Sequence, residues 1–195
     1  MVTKTDKREI QIRWHGRGGQ GVVTAGILLV EVALDEGLYF QATPDFGAER
    51  SGAPVAAYTR ISSGPIYSHT PITNPDIVVV LDPTLIGRVD FLSGLVKDGL
   101  LVINTRLSPR ELREQLEAPS QRVCAIDATR IAMETIGRNI PNVPTMGALL
   151  RVAEVVSYQA AHSAIERRLS ERFSDTVVKA NMEALKRGYE EVCAG

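Results

Sequence analysis

A glycine-rich stretch near the N-terminus constrains the fold of this chain more than any other feature. Residues 9–14 alternate polar and apolar, as a half-buried strand does. Residues 20–36 carry a broad apolar band at helical spacing. Between them, Gly16, Gly18 and Gly21 show the spacing G-x-G-x-x-G. The sequence therefore predicts a strand, a glycine-rich turn and a helix, which together open a βαβ unit.

This glycine turn has two interpretations. Glycines at such spacing let the backbone turn tightly and approach a phosphate at the N-terminus of the following helix. The candidate binding residues are then consecutive: Gly16, Arg17, Gly18, Gly19, Gln20 and Gly21. In the other interpretation, the glycines only let the helix pack closely against the strand.

An ordinary NAD site is disfavoured. Such a site carries an acidic residue about 20 residues beyond the turn, at the end of the second strand. The second strand is predicted at residues 38–42, and the expected position holds Gln41. Asp45 is near, but it follows Pro44 in a predicted loop.

That loop, residues 43–54, is rich in turn-forming residues and is expected to face the glycine turn. It contains the adjacent charged residues Glu49 and Arg50. Arginine suits a carboxylate or phosphate because its guanidinium offers a planar fork of donors. Both residues are therefore candidates for ligand binding, and a structural ion pair is the alternative.

The remaining chain alternates strands and helices. Apolar runs at residues 76–82, 99–104 and 122–126 predict buried strands of a parallel sheet. Asp82 and Ser108 are predicted to cap the helices that follow the first two of these strands.

Two other regions complete the predicted fold. Residues 55–61 and 65–68 predict an antiparallel hairpin. Two prolines, Pro141 and Pro144, precede a helix predicted to be capped by Thr145, and two amphipathic helices follow.

The predicted fold class is α/β, with a Rossmann-like open and mostly parallel sheet. Helices cover both faces, an antiparallel hairpin extends the sheet, and the C-terminal part is helical. We expect residues 1–195 to form a single domain, with residues 1–8 as a flexible N-terminus.

Charge and targeting signals exclude several classes of function. The 22 Lys and Arg residues balance 23 Asp and Glu residues, so no overall field attracts nucleic acid or anionic lipid. The basic pair Arg167-Arg168 is predicted to be a solvated helix face. With no signal peptide and no apolar run of about 18 residues, we expect a cytoplasmic protein that does not interact with membranes.

Metal chemistry is expected to lie outside this chain. Two cysteines cannot supply the four thiolates of an iron–sulfur cluster. His15, His69 and His162 share no zinc-ligand spacing. No nucleophile–base set follows from spacing either, so we expect no catalytic residue here.

Three motifs in order resemble the gamma subunits of 2-oxoacid:ferredoxin oxidoreductases. They are His-Gly-Arg-Gly-Gly-Gln-Gly at residues 15–21, Pro-Asp-Phe-Gly-Ala-Glu-Arg-Ser-Gly-Ala-Pro at residues 44–54, and Asn-Pro-Asp at residues 74–76. The resemblance extends from about Ile10 to Val192, and the sequences of residues 49–54 and 142–144 favour the pyruvate branch.

This resemblance implies an oxidoreductase subunit that is inactive alone. The complex would convert pyruvate and coenzyme A into acetyl-CoA and carbon dioxide while reducing ferredoxin, or catalyse the reverse. Alpha, beta and delta subunits would carry thiamine diphosphate, magnesium and the iron–sulfur clusters. This chain would bind no cofactor firmly, and its glycine turn would either bind a phosphate of coenzyme A or make a subunit contact.

Other functions remain open at this point. The 2-oxoacid could be 2-oxoglutarate or another member of its class, because such enzymes share the glycine turn. Alternatively, the chain is a free-standing nucleotide-binding protein, or a structural assembly module whose glycine turn binds nothing.

Overall fold

The computed structural model describes residues 9–45, 52–68, 70–118 and 120–195, with a seven-stranded sheet and six α-helices. The strands are β1 (Ile10–Arg17), β2 (Tyr39–Asp45), β3 (Pro54–Ser62), β4 (Ile77–Val80), β5 (Leu100–Asn104), β6 (Arg122–Ile126) and β7 (Cys193–Ala194). The helices are α1 (Val22–Asp35), α2 (Pro109–Leu116), α3 (Ala128–Thr135), α4 (Asn142–Ala153), α5 (Tyr158–Ser170) and α6 (Asp175–Glu191).

The sheet has a parallel centre and antiparallel margins, in the order β2-β3-β1-β4-β5-β6-β7. Strands β1, β4, β5 and β6 run parallel, with Trp14 opposite Val79 and Val79 opposite Val102. Strand β3 is antiparallel to β1 and β2, and β7 is antiparallel to β6. The predicted α/β fold with a mostly parallel sheet is confirmed.

The predicted hairpin is wrong in its partner strand. Residues 65–68 form no strand, and β3 pairs instead with β1 on one side and β2 on the other. Both hydrogen-bonding edges of β3 are therefore occupied. The antiparallel extension exists, but it consists of β2 and β3.

The second strand is also longer than predicted. Strand β2 continues through Pro44 to Asp45, so these residues lie in the sheet rather than in a loop. The N-terminal boundary of β3 at Pro54 removes another residue from the predicted loop.

Apolar side chains pack on both faces of the sheet. On one face, α1, α4, α5 and α6 cover a core that includes Trp14, Val79 and Leu149. On the other face, α2 and the segment between β4 and β5 cover Ile103 and Phe91. Helices therefore lie on both faces, as predicted. Within the described ranges, no helix is long and apolar enough to span a bilayer.

Two predicted caps are confirmed. The Ser108 side chain accepts a hydrogen bond from the Glu111 amide, and the Glu111 carboxylate accepts one from the Ser108 amide in a capping box. The Asp82 carboxylate accepts from the Thr84 amide at 2.8 Å. It caps a short 3₁₀ turn, Pro83–Leu85, rather than a full helix.

The predicted start of α4 is wrong by four residues. The helix begins at Asn142, and Thr145 is inside its first turn, where its hydroxyl donates to the Pro141 carbonyl at 2.7 Å. Buried residues extend along α4 from Asn142 to Leu150. This helix crosses α6 closely, because a Cβ at Gly147 or Gly188 would overlap the backbone of the other helix.

Candidate functional site

The glycine turn joins the end of β1 to the start of α1. Gly19 and Gly21 have φ angles of 94° and 79°, which other L-residues adopt only at a cost. The Gln20 amide donates to the Arg17 carbonyl at 3.1 Å and closes the turn. Gly21 is the N-cap of α1, and no side chain caps that helix. The first amides of α1 are therefore not bonded to a capping side chain.

The space around the glycines differs along the turn. A Cβ at Gly16 would lie 2.5 Å from Val22 Cγ2, and one at Gly21 would lie 2.5 Å from Asn142 Nδ2. Both glycines are thus required for close packing. Gly19 differs, because no atom lies within 4 Å of a Cβ placed there. The turn therefore packs tightly at both ends and is open at its centre.

A buried carboxylate holds the turn from a neighbouring strand. The Gln20 side-chain carbonyl accepts from the Arg17 amide at 2.8 Å, and its Nε2 donates to Asp82 Oδ2 at 2.5 Å. Asp82 is 5% exposed. Burial acts to raise the pKa of Asp82, but hydrogen bonds from Thr84 and Gln20 and the Arg17 charge outweigh it and lower that pKa.

The Arg17 guanidinium binds the protein itself. Its Nη2 donates to Thr84 Oγ1 at 2.9 Å, its Nη1 donates to the Gly52 carbonyl at 2.9 Å, and its Nε lies 3.4 Å from Asp82 Oδ2. The Gly18 amide likewise donates to the Ala53 carbonyl at 3.1 Å. These contacts connect the turn to the start of β3 and to the end of β4.

The chain segment before β3 does adjoin the turn, through Gly52 and Ala53. Glu49 and Arg50, the other two predicted binding residues, lie outside the described residues.

A cleft of about 830 Å³ opens beside Gly19 and Gly21. It lies between the start of α1, the α3–α4 connection, the end of α5 and the start of α6. Much of its wall is apolar, with side chains that include Ile27, Leu28, Ile136, Ile140, Phe173 and Val177. Ile27 and Phe173 are 41% and 51% exposed, which is unusual for large apolar side chains and indicates a binding surface.

The charged lining of the cleft is entirely basic. Arg138, Arg168 and Arg172 line it, and no acidic side chain among the described residues does. Arg168 is partly neutralised, with its Nε 3.4 Å from Glu31 Oε1. Arg138 and Arg172 form no ion pair with the part of the chain that the structure describes. The cleft is therefore electropositive.

Two helix N-termini meet at this cleft. Gly21 begins α1, and Asn142, which is 6% exposed, begins α4 directly beside it. The Asn142 side-chain carbonyl accepts from the Val143 amide at 2.9 Å. Both helix N-termini carry partial positive charge, which favours an anion at this point. Only α1 also has uncapped amides there, because the Val143 amide of α4 is bonded to Asn142 and Pro144 has no N–H.

The sequence indicated the turn but not the cleft's basic residues. Arg138, Asn142 and Arg172 come from separate elements, and no spacing connects them. Arg168 was predicted to be on a solvated helix face, yet it lines the cleft, while its neighbour Arg167 pairs with Asp35 at 2.7 Å.

The site offers binding groups rather than a metal centre. Across residues 9–45, 52–68, 70–118 and 120–195, no group of three His, Cys, Asp or Glu side chains could hold a metal ion. The arrangement suits an anionic ligand that also has an apolar part.

These features define a class of protein: a Rossmann-like α/β fold with a glycine turn at the head of its first helix. Residues 11–191 match the pyruvate ferredoxin/flavodoxin oxidoreductase family. The pyruvate synthase subunit PorC of Thermotoga maritima is 44% identical over 186 residues, which cover 95% of this chain and 96% of that relative. Its crystal structure has a TM-score of 0.85 and covers 97% of this chain and 99% of that chain.

A second relative is the common gamma subunit of the pyruvate/ketoisovalerate oxidoreductases of Pyrococcus abyssi. It is 44% identical over 178 residues, covering 91% of this chain and 96% of that relative. The chain belongs to the pyruvate ferredoxin/flavodoxin oxidoreductase family, as a gamma subunit of its pyruvate and ketoisovalerate branch.

The same fold occurs inside a larger enzyme. The 2-oxoglutarate:ferredoxin oxidoreductase of Magnetococcus marinus, solved with 2-oxoglutarate, coenzyme A and succinyl-CoA bound, matches with a TM-score of 0.77 at 19% identity. The match covers 95% of this chain and 31% of that chain.

Proposed function

We propose that this gamma subunit supplies binding groups for coenzyme A in a multisubunit pyruvate:ferredoxin oxidoreductase. The complex converts pyruvate and coenzyme A to acetyl-CoA and carbon dioxide with reduction of ferredoxin, or runs in reverse. The observation that carries the proposal is the electropositive, partly apolar cleft at the glycine turn. The Magnetococcus marinus enzyme, which contains this fold, was solved with coenzyme A and gives further support.

The cleft matches the chemistry of coenzyme A part by part. The diphosphate requires donors without a competing carboxylate, and the uncapped N-terminus of α1 offers backbone amides beside Gly19 and Gly21. The separate ribose phosphate suits Arg138 and Arg172, since their guanidinium groups are not paired with described carboxylates. The adenine ring suits the apolar wall around Ile27 and Phe173.

Within this proposal, the candidate residues of the turn divide into two groups. Gly19 and Gly21 line the cleft and lie where the phosphate would bind. Arg17 and Gln20 support the turn rather than bind the phosphate, because their side chains bond to Thr84, Gly52 and Asp82. Gly16 allows the turn to pack closely against Val22, and the Gly18 amide donates to the Ala53 carbonyl.

The remaining chemistry is assigned to partners. We propose that alpha, beta and delta subunits carry thiamine diphosphate, magnesium and the iron–sulfur clusters. The Pyrococcus abyssi relative is named as common to pyruvate and ketoisovalerate oxidoreductases. A ketoisovalerate enzyme that shares this gamma subunit is therefore the second candidate.

The first test is purification of the complex from its own cells. Copurification with thiamine diphosphate and iron–sulfur subunits, together with dye reduction that requires both pyruvate and coenzyme A, is expected. Purification as a lone chain with no such partners would contradict the proposal.

The second test addresses the cleft in the assembled complex. We expect Arg138→Gln and Arg172→Gln each to raise the KM for coenzyme A about tenfold, as loss of one charge-assisted contact of about 1.4 kcal/mol does. With 3′-dephospho-coenzyme A, which lacks the separate ribose phosphate, variants and unchanged enzyme should converge. Arg110→Gln is the matched control, since Arg110 is exposed on α2 and pairs with Glu114. An unchanged KM in an intact complex would refute the assignment.

A further inference from the structure

Asp82 is a buried carboxylate whose oxygens are fully engaged. It follows β4, and Oδ1 accepts from the Thr84 amide and hydroxyl at 2.8 and 2.6 Å. Its Oδ2 accepts from Gln20 Nε2 at 2.5 Å and lies 3.4 Å from Arg17 Nε, so both contacts of this oxygen are with the glycine turn. Capping a single 3₁₀ turn requires only Oδ1, since both Thr84 bonds end there. A neutral Asn or Ser would cap such a turn without the cost of burying a charge. The second oxygen therefore has a separate role.

That role concerns the glycine turn. Gly18, Gly19 and Gly21 have no side chains to hold them, and glycine has the widest backbone freedom of all residues. The Arg17 side chain joins the turn to Gly52, Thr84 and Asp82, but among the described contacts it is the Gln20 side chain that also holds the turn's own backbone, by bonding to the Arg17 amide as well as to Asp82. Since Asp82 is anchored by Thr84 on a buried strand end, it transmits the rigidity of the sheet to the turn.

We propose that Asp82 is a positioning residue for coenzyme A, which acts through Gln20 to hold the glycine turn in its binding conformation before the ligand arrives. The inference rests on the proposed function above. Asp82 is not among the described residues that line the cleft, so it acts on the ligand through the turn. It sets the fraction of molecules whose turn can bind, and the apparent dissociation constant is the intrinsic constant divided by this fraction.

The measurement is steady-state kinetics of the assembled complex. Asp82→Asn keeps the size of the side chain and the cap on Thr84, but its amide cannot offer acceptors to both Gln20 and Thr84. We expect the KM for coenzyme A to rise about tenfold while kcat and the KM for pyruvate change less than twofold, as a competent fraction near 10% requires. Asp90→Asn is the matched control, because Asp90 is an exposed carboxylate on the same connecting segment.

A double-mutant cycle separates positioning from general destabilisation. If Asp82 acts through Gln20, then Gln20→Ala and Asp82→Asn should each raise the KM for coenzyme A, and the double variant should have a KM no higher than that of the more affected single variant. Amide hydrogen exchange at residues 18–22 should speed up in both single variants. Should Asp82→Asn fail to assemble, Gln20→Ala alone tests the same contact, since Asp82 then keeps its bonds to Thr84.

The outcomes separate this inference from the function beneath it. If Arg172→Gln does not change the KM for coenzyme A, the proposed function fails. The positioning role of Asp82 is overturned if Arg172→Gln raises the KM for coenzyme A while Asp82→Asn and Gln20→Ala leave it unchanged. It is also overturned if the fold-increases of Asp82→Asn and Gln20→Ala multiply in the double variant.

Discussion

His15 makes the stability of this fold depend on pH in a specific direction. It lies on β1, is 9% exposed, and its ring centroid is 6.2 Å from that of Phe91. Its Nε2 has no hydrogen-bond partner within the described structure. Burial, with a smaller contribution from the Arg13 charge, lowers the pKa of His15 from 6.5 to about 4. The folded chain therefore holds His15 neutral where the unfolded chain protonates it.

The size of the effect follows from this difference in pKa. Above pH 6.5, His15 is neutral in both states and contributes no pH dependence. As the pH falls towards 4, the unfolded state binds the proton first, so the free energy of unfolding decreases. Proton linkage gives a loss of about 2 kcal/mol at pH 5 and about 3 kcal/mol below pH 4.

The assay is urea unfolding of the full chain at pH 7.5 and pH 5. Other carboxylates also titrate, so the comparison is between variants. We expect the loss of unfolding free energy between the two pH values to be about 2 kcal/mol smaller in His15→Leu than in the unchanged chain. Ile12→Val, at a buried residue of β1 without an ionisable group, should retain the original pH dependence. Equal losses in His15→Leu and the unchanged chain would refute this account.

Three further changes should each lower the midpoint of urea unfolding. Gly188→Ala places a methyl group against the Pro144 carbonyl at the α4–α6 crossing and should cost about 3 kcal/mol, unless the helices separate freely. Thr59→Val removes the acceptor of the Trp14 indole N–H, at 3.1 Å, and should cost about 1–3 kcal/mol. Ser108→Ala removes the capping box of α2 and should cost about 1 kcal/mol; no change would mean that solvent replaces the cap.

The parts of the fold that the sequence predicted correctly depend on local patterns. The buried strands β4, β5 and β6 appear as short apolar runs, because both of their faces are covered. The glycine turn appears because the backbone conformation at Gly19 and Gly21 demands a particular residue type. Both patterns depend on only a few neighbouring residues in the sequence.

The errors occurred where pairing decided the structure. Pro44 suggested a loop, yet it is accommodated because β2 is an edge strand bonded only to β3, where one missing amide is tolerated. The hairpin of residues 55–61 with residues 65–68 was plausible locally. However, β3 pairs with residues 39–45 and 10–17 instead, and local sequence patterns do not show which of several possible strands a strand will pair with.

The role of Arg17 shows why a motif identifies a site without assigning its members. An arginine between glycines at a helix start suggests a phosphate ligand, but its guanidinium reaches Thr84 and Gly52 instead. Glycine turns have no side chains of their own for support, so a neighbouring charged side chain stabilises them if it bonds back to the protein. The contacts with a phosphate then fall to backbone amides and to distant residues such as Arg138 and Arg172. Replacing Arg17 should therefore disturb the turn and its connection to β3 before it removes any ligand charge, whereas replacing Arg172 should do only the latter.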